Sequence, residues 1–276
     1  MSALFAIFTS DPNLLGCELH RSSDQVKLSE GGAKSAAGLG WYSPEDVLVR
    51  RFPAEAPPTS AKELLSNEPS DAMVFHSGAI SGSASLEDNT QPFRFRRWLF
   101  AHAGKVESWG KSRLAAVAAL PEYLQRGLRG DLDSEVLFAL FLKELRDLGR
   151  TDDSRLEPEV AAKLLLSTGH VMQNLAAEAG ATERSALNMV ATNGRMLLAA
   201  RLGPVPLFYK LLEGSRLCER CGLTDRTPES NSLVGAHKRV RSVLVSSSPV
   251  SASGWIQLED GEALAVDSKL NGKKIR

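Results

Sequence analysis

Ser2 pairs a hydroxyl with the α-amino group it would own once Met1 is removed, a nucleophile and a base in one residue. Three further stretches carry residues of the same chemical interest. In Arg97-Trp98-Leu99-Phe100-Ala101-His102-Ala103-Gly104-Lys105 an apolar run reads as a strand that ends at Ala103-Gly104. Glycine after a strand lets backbone N–H groups face a developing oxyanion. In Asp131-Leu132-Asp133-Ser134-Glu135 carboxylates stand at the start of a helix, where they cap and complement the dipole. In His76-Ser77-Gly78-Ala79-Ile80-Ser81-Gly82-Ser83 small residues form a loop suited to close approach of a ligand. Each has an ordinary structural reading as well: a translation start, a turn, a cap, a loop. No P-loop, H-E-x-x-H or G-x-S-x-G motif accompanies them.

The elements that must position these residues follow from periodicity. Residues 2–9 alternate as a strand ending in the turn Ser10-Asp11-Pro12-Asn13. Gly38–Tyr42 and Val47–Arg51 read as a hairpin around Ser43-Pro44-Glu45-Asp46, and Pro53–Ser60 as a Pro/Ala linker. A short helix is expected over Ala61–Ser66, strands over Met73–His76 and Trp98–His102, and a Gly/Ser/Asn-rich loop over Ser77–Pro92. The middle of the chain turns helical: 114–128 interrupted at Pro121, a helix from Asp131 with Val136, Leu137, Leu140, Phe141, Leu145 and Leu148 on one face, and Pro158–Ala179. Strands return at 185–192, 196–202, 206–210, 241–246 and 262–266, with the hairpin signal Asn193-Gly194. Strands, then helices, then strands favour antiparallel sheets with a segregated helical layer over a doubly wound parallel fold.

Composition narrows the classes. The 43% hydrophobic and 24% charged content suits a globular chain, and 276 residues with no repeat or long linker read as one domain over 1–276. Lys+Arg 33 balances Asp+Glu 33, so no global field draws nucleic acid or anionic membrane. No apolar run is long enough for a membrane span and no leader pattern is present, so a cytoplasmic location is expected. Cys218 and Cys221 form a C-x-x-C, but zinc needs two more ligands and the nearest downstream histidine is His237. With Cys17 they read as structural or redox-prone thiols, and neither a metal nor a cofactor is expected.

The order of these stretches resembles the class II glutamine amidotransferases of the N-terminal-nucleophile hydrolase superfamily, close to YafJ-type proteins and the ergothioneine-pathway hydrolase. The family begins Met-Cys where this chain has Met1-Ser2, and its Gly-Trp-Gly segment resembles Gly38-Leu39-Gly40-Trp41-Tyr42. Its His-x-Arg-Ala-x-Thr resembles His76-Ser77-Gly78-Ala79-Ile80-Ser81, and its Asn-Thr-His-Pro-Phe resembles Asn89-Thr90-Gln91-Pro92-Phe93. Phe-Ala-His-Asn-Gly becomes Phe100-Ala101-His102-Ala103-Gly104, and Thr-Asp-Ser-Glu becomes Leu132-Asp133-Ser134-Glu135. Thr192-Asn193-Gly194 and Ser246-Ser247-Ser248-Pro249-Val250 echo its Thr-Asp-Gly and Ala-Ser-Glu-Pro-Leu.

The resemblance implies an α+β fold, a four-layer α/β/β/α sandwich of two antiparallel sheets with outer helices. It implies that a cysteine attacks the glutamine amide with its α-amino group as base, and that Asn and Gly stabilise the oxyanion. Arginine would hold the substrate carboxylate and aspartate its ammonium. On this chain those roles fall on Ser2 and Gly104 as catalytic residues, with His76, Gly78, Ser81, His102, Ala103 and Asp133 around the substrate. Cysteine, arginine and asparagine are replaced by Ser2, Gly78 and Ala103. Two readings remain open: a catalytically impaired binding or regulatory module with a small-molecule or protein partner, and an N-terminal-serine amidohydrolase acting on a small amide. A conventional glutaminase ranks behind both.

Overall fold

A computed structural model describes residues 2–28, 35–44, 46–52, 56–64, 68–79, 85 and 87–276. In chain order its elements are β1 (Ala3–Thr9), α1 (Leu15–Ser22), β2 (Ser35–Tyr42), β3 (Val47–Phe52), β4 (Ala72–Ala79), β5 (Phe93–Phe95) and β6 (Trp98–Lys105). Then come α2 (Trp109–Ala118), α3 (Glu122–Gln125), α4 (Asp133–Asp147), α5 (Pro158–Glu178), β7 (Ala186–Thr192), β8 (Leu197–Leu202) and β9 (Phe208–Leu212). The chain closes with α6 (Ser232–Arg239), β10 (Ser242–Ser246), β11 (Ile256–Gln257), β12 (Glu262–Val266) and β13 (Gly272–Ile275).

The strands form two antiparallel sheets, ordered β11-β9-β10-β1-β4-β2-β3 and β13-β12-β8-β7-β6-β5. Period 2 decides which core each side chain joins. Leu4, Ala6, Phe8 and Val74 of the first sheet meet Leu99, Ala101, Val190 and Ala199 of the second, making the inter-sheet core. The alternate residues of β1 and β4, namely Phe5, Ile7, Met73 and Phe75, pack outward on Leu15 and Leu19 of α1 and on Ala61 and Leu64 of a 3-10 turn. Trp98, Phe100, Met189 and Leu198 face the other way onto Leu137 and Phe141 of α4 and Leu165 and Met172 of α5. β1 is buried along its whole length because both its faces are covered. The order of layers is therefore helices, sheet, sheet and a thin layer led by α1. Among the described residues no helix is long and apolar enough to cross a membrane.

Several boundaries differ from the sequence reading. The 61–66 segment is a 3-10 turn over Ala61–Leu64 rather than an α-helix, and residues 65 and 66 lie outside the described residues. The loop expected from Ser77 begins later, because β4 continues to Ala79, pairing Ser77 with both Ala3 and Ala37. A strand between two neighbours has its backbone satisfied on both edges, and that overrides the loop-like composition. β6 does not stop at Ala103-Gly104 but runs on, pairing Gly104 with Leu187 and Lys105 with Ala186. Pro121 divides the first helical stretch into α2 and α3, as expected of a residue without an N–H. α1, β5, β11, β13 and α6 are additional to the expected set.

Candidate functional site

β1 is the middle strand of its sheet, and Ser2 stands at its start next to Ser77 and Gly78 of β4. A Cβ built on Gly78 would lie 3.2 Å from Ser2 Cβ and 3.1 Å from His76 Cε1. The absent side chain thus leaves the serine and the imidazole facing one small space. His76 is buried, and its Nε2 accepts from Gln91 Nε2 at 3.3 Å. Burial, reinforced by the neighbouring His102, pulls its pKa down to about 3, so the ring is neutral near pH 7.

Gln91 is the hub that joins the two sheets to the helix layer. Its Oε1 accepts from His102 N at 2.7 Å, and its Nε2 lies 3.0 Å from His102 O and 3.2 Å from Ser134 Oγ. A fully buried amide has to find such partners, since an unmet one costs about 1–3 kcal/mol. His102 donates from Nε2 to Ala186 O at 3.1 Å and sets Nδ1 3.0 Å from Ser134 Oγ. Asp133 is the first residue of α4 rather than its cap. Its Oδ1 accepts from Ser134 N at 2.7 Å, and its Oδ2 reaches across to Val106 N at 2.8 Å. Glu135 accepts from Arg129 N at 2.9 Å and Gly130 N at 2.8 Å, and burial raises its pKa.

Gly104 is required where it stands. Its φ is +143° and an added Cβ would fall 1.9 Å from Ala186 O, so β7 approaches too closely for any side chain.

Ser2, His76, Gly78, His102, Gly104 and Asp133 line one cleft of about 980 Å³. Ala103 is not among its lining residues: its methyl is buried in the inter-sheet core with Leu99 and Ala101, alternate to His102. Ser81 lies outside the described residues. The cleft also takes in Gln91, Ser134, Lys105, Lys111, Trp109 and Arg113, none of which the sequence reading placed in a site. Lys105 is bonded to Glu107 at 2.9 Å, while Lys111 and Arg113 rise from α2 on the cleft wall, Arg113 Nη2 donating to Gly130 O at 3.4 Å. Their signal in sequence is only a basic residue on either side of Ser112, indistinguishable from a solvated helix face. Another cavity of about 820 Å³ lies by Arg94, Tyr123 and Phe138, away from Ser2 and Asp133.

Cys218 and Cys221 are remote from this cleft and gather with Cys17 and His237 instead.

The chain matches the family model of the glutamine amidotransferases class-II over residues 1–270. No curated protein matches it. Its structure is similar to a glutamine aminotransferase class-II domain protein from Silicibacter pomeroyi, at 19% identity and TM-score 0.58, covering 99% of this chain and 98% of that one. It is also similar to a predicted glutamine amidotransferase from Pseudomonas aeruginosa, at 15% identity and TM-score 0.56, covering 100% and 98%. A third likeness is to glutamine phosphoribosylpyrophosphate amidotransferase from B. subtilis, at 13% identity and TM-score 0.51, covering 99% of this chain and 49% of that one. At these identities the structures speak for the fold alone.

Proposed function

The chain belongs to the class-II glutamine amidotransferases, and from that premise we propose that its cleft binds a small ligand bearing an ammonium or amide group and hydrolyses glutamine only near background. The protein would then serve as a binding or regulatory module on an amidotransferase fold.

One observation carries this reading: the space between Ser2 and His76 is bordered by Gly78, which offers no side chain at all. A bidentate clamp on a substrate carboxylate cannot come from that position. Position 103 adds a second deficit: its methyl is turned into the inter-sheet core, so no side-chain donor reaches the cleft from there, and loss of one oxyanion donor costs about 10²–10³ in rate. Serine in place of the family's cysteine adds a third, being the weaker nucleophile. Asp133 remains, and a carboxylate accepting two backbone N–H bonds still has lone pairs for an ammonium group. Lys111 and Arg113 supply positive charge from a different wall, which suits an anionic substituent placed unlike the α-carboxylate of glutamine.

The test is a screen of L-glutamine, γ-glutamyl compounds and other small amides, read by thermal shift and by ammonia release. The expected result is stabilisation by at least one amine-bearing compound with no turnover of glutamine. Rapid glutamine hydrolysis that Ser2→Ala abolishes overturns the proposal.

A second reading, amide hydrolysis by Ser2 itself, is favoured by the position of Ser2 in the same cleft as Gly104 and Asp133. It requires Ser2 to be the first residue of the mature chain. Intact mass with Met1 retained would remove it, while a mass adduct on Ser2 with an amide substrate would favour it over the first.

A further inference from the structure

Between β9 and β10 the chain makes a long excursion, residues 213–241, whose regular structure is α6. A stretch of this length needs something to hold it. Its own core is small: Leu14, Cys17, Cys218, Leu223, Val234 and Val240. Three separate pieces of chain meet there, and each brings a soft or borderline ligand.

The first piece is the turn Cys218-Glu219-Arg220-Cys221-Gly222-Leu223. Cys218 N donates to Leu223 O at 3.1 Å and Leu223 N to Cys218 O at 2.9 Å, closing the turn into a two-residue ladder. Gly222 takes φ +66° within it, a value that glycine adopts without a Cβ penalty. The tight turn brings both thiols to one side. The second piece is α1, whose first turn carries Cys17, with Sγ 3.5 Å from Cys221 Sγ. The third is the last turn of α6, which carries His237. The ligand atoms of Cys17, Cys218, Cys221 and His237 all lie within 4.8 Å of one another.

His237 gives the independent sign. It is 3% exposed, and its Nδ1 donates to Leu233 O at 2.9 Å. That bond leaves Nε2 as the lone-pair nitrogen, the arrangement in which a metal-ligating imidazole is oriented by its other nitrogen. Nε2 is buried and has no hydrogen-bond partner among the described residues. An unmet buried nitrogen costs free energy unless something fills its lone pair, and the nitrogen belongs to a group of three sulfurs.

We propose that Cys17, Cys218, Cys221 and His237 form a structural zinc site, closed by four protein ligands, that staples the 213–241 excursion to α1. Three thiolates and one imidazole are a tetrahedral zinc set. Zinc–sulfur bonds of about 2.3 Å place tetrahedral sulfurs about 3.8 Å apart, close to the 3.5 Å between Cys17 and Cys221. Binding displaces the three thiol protons to solvent and leaves the oxidation state of metal and sulfur unchanged. The filled site carries one negative charge in excess, and the Arg220 guanidinium lies against Gly16, beside Cys17, where it opposes that charge. Four ligands leave no open coordination position, so the role is structural rather than catalytic. The sequence-based expectation of no metal rested on a C-x-x-C short of two ligands; folding supplies one from 200 residues away, roughly, and one from α6.

The test uses the whole chain purified under reducing conditions from zinc-supplemented medium. Elemental analysis should find about one zinc per chain, retained through gel filtration in the presence of a weak chelator. Chelator-treated protein titrated with Co²⁺ should develop thiolate-to-cobalt charge transfer and the intense d–d bands of a tetrahedral ion, saturating at one equivalent. Cys17→Ser and His237→Ala should each lose stoichiometric zinc and alter the cobalt spectrum. Should those variants fail to fold, the cobalt spectrum of the unmodified chain still decides. Three thiols reacting freely with a disulfide reagent in zinc-loaded protein, with no tetrahedral cobalt band, overturns the proposal. A Cys17–Cys221 or Cys218–Cys221 disulfide in freshly lysed cells, with no metal bound after reduction, overturns it equally.

Discussion

Acidification should destabilise this protein through His76, and the size of the effect follows from its surroundings. The ring is 7% exposed, accepts from Gln91, and is held neutral with a pKa pulled to about 3 by burial and then by His102. In the unfolded chain the same ring titrates near its usual value of about 6.5. Between these values the unfolded state binds a proton that the folded state refuses. Stability contributed by the neutral ring is therefore complete above about pH 6.5 and is lost as pH falls toward 3. Each pH unit in that window costs about 1.4 kcal/mol, so moving from pH 6.5 to 5 removes about 2 kcal/mol. Urea unfolding of the unmodified chain and of His76→Gln, each at pH 7.5 and pH 5, measures it. The variant is expected to start less stable, because it alters the bond to Gln91, but to lose about 2 kcal/mol less on acidification. Equal losses in the two proteins, or a His76 resonance titrating near 6.5 in the folded state, would refute the reasoning.

Other outcomes are expected at the same cleft. Gly104→Ala should destabilise the chain by more than about 2 kcal/mol, since it combines a positive φ with a collision against Ala186 O, and a thermal melt reads this directly. Asp133→Ala should cost about 1–3 kcal/mol by stranding Val106 N, and it should abolish the ligand-induced thermal shift expected of an ammonium-bearing compound. Ser2→Cys alone should leave glutaminase activity near background, because Gly78 and Ala103 are unchanged. The triple variant Ser2→Cys, Gly78→Arg, Ala103→Asn should melt lower without gaining ammonia release, because an asparagine at 103 would be buried in the inter-sheet core beside Leu99 and Ala101 rather than in the cleft. Its arginine needs Ser2 and His76 to yield by a few tenths of an ångström, roughly, given contacts of 3.2 and 3.1 Å.

Much of the fold was legible in the sequence because it is written in local rules. The strand–helix–strand order, the break at Pro121, the start of α5 at Pro158 and the Asn193-Gly194 hairpin all rest on periodicity or on backbone restrictions that act within a few residues. The ordered motifs likewise anticipated one cleft around Ser2, Gly78, Ala103, Gly104 and Asp133; all of these but Ala103, which faces the inter-sheet core, line it. What local rules could not decide was everything set by a neighbour distant in the chain. Ser77-Gly78-Ala79 has the composition of a loop and becomes strand because β1 and β2 flank it. Gly104 looks like the end of a strand and is instead the point where the carbonyl of Ala186 leaves no room for a Cβ. Asp133 looks like a helix cap and bonds to β6's outgoing backbone at Val106. Gln91 has no periodic or capping signal, yet it ties His76, His102 and Ser134 together, since a buried amide takes its partners from whatever elements enclose it. Cys17 and the C-x-x-C at 218–221 are separated by most of the chain, and no spacing rule connects them. Only packing the long excursion against α1 brings together three sulfurs and a nitrogen that has no partner among the described residues.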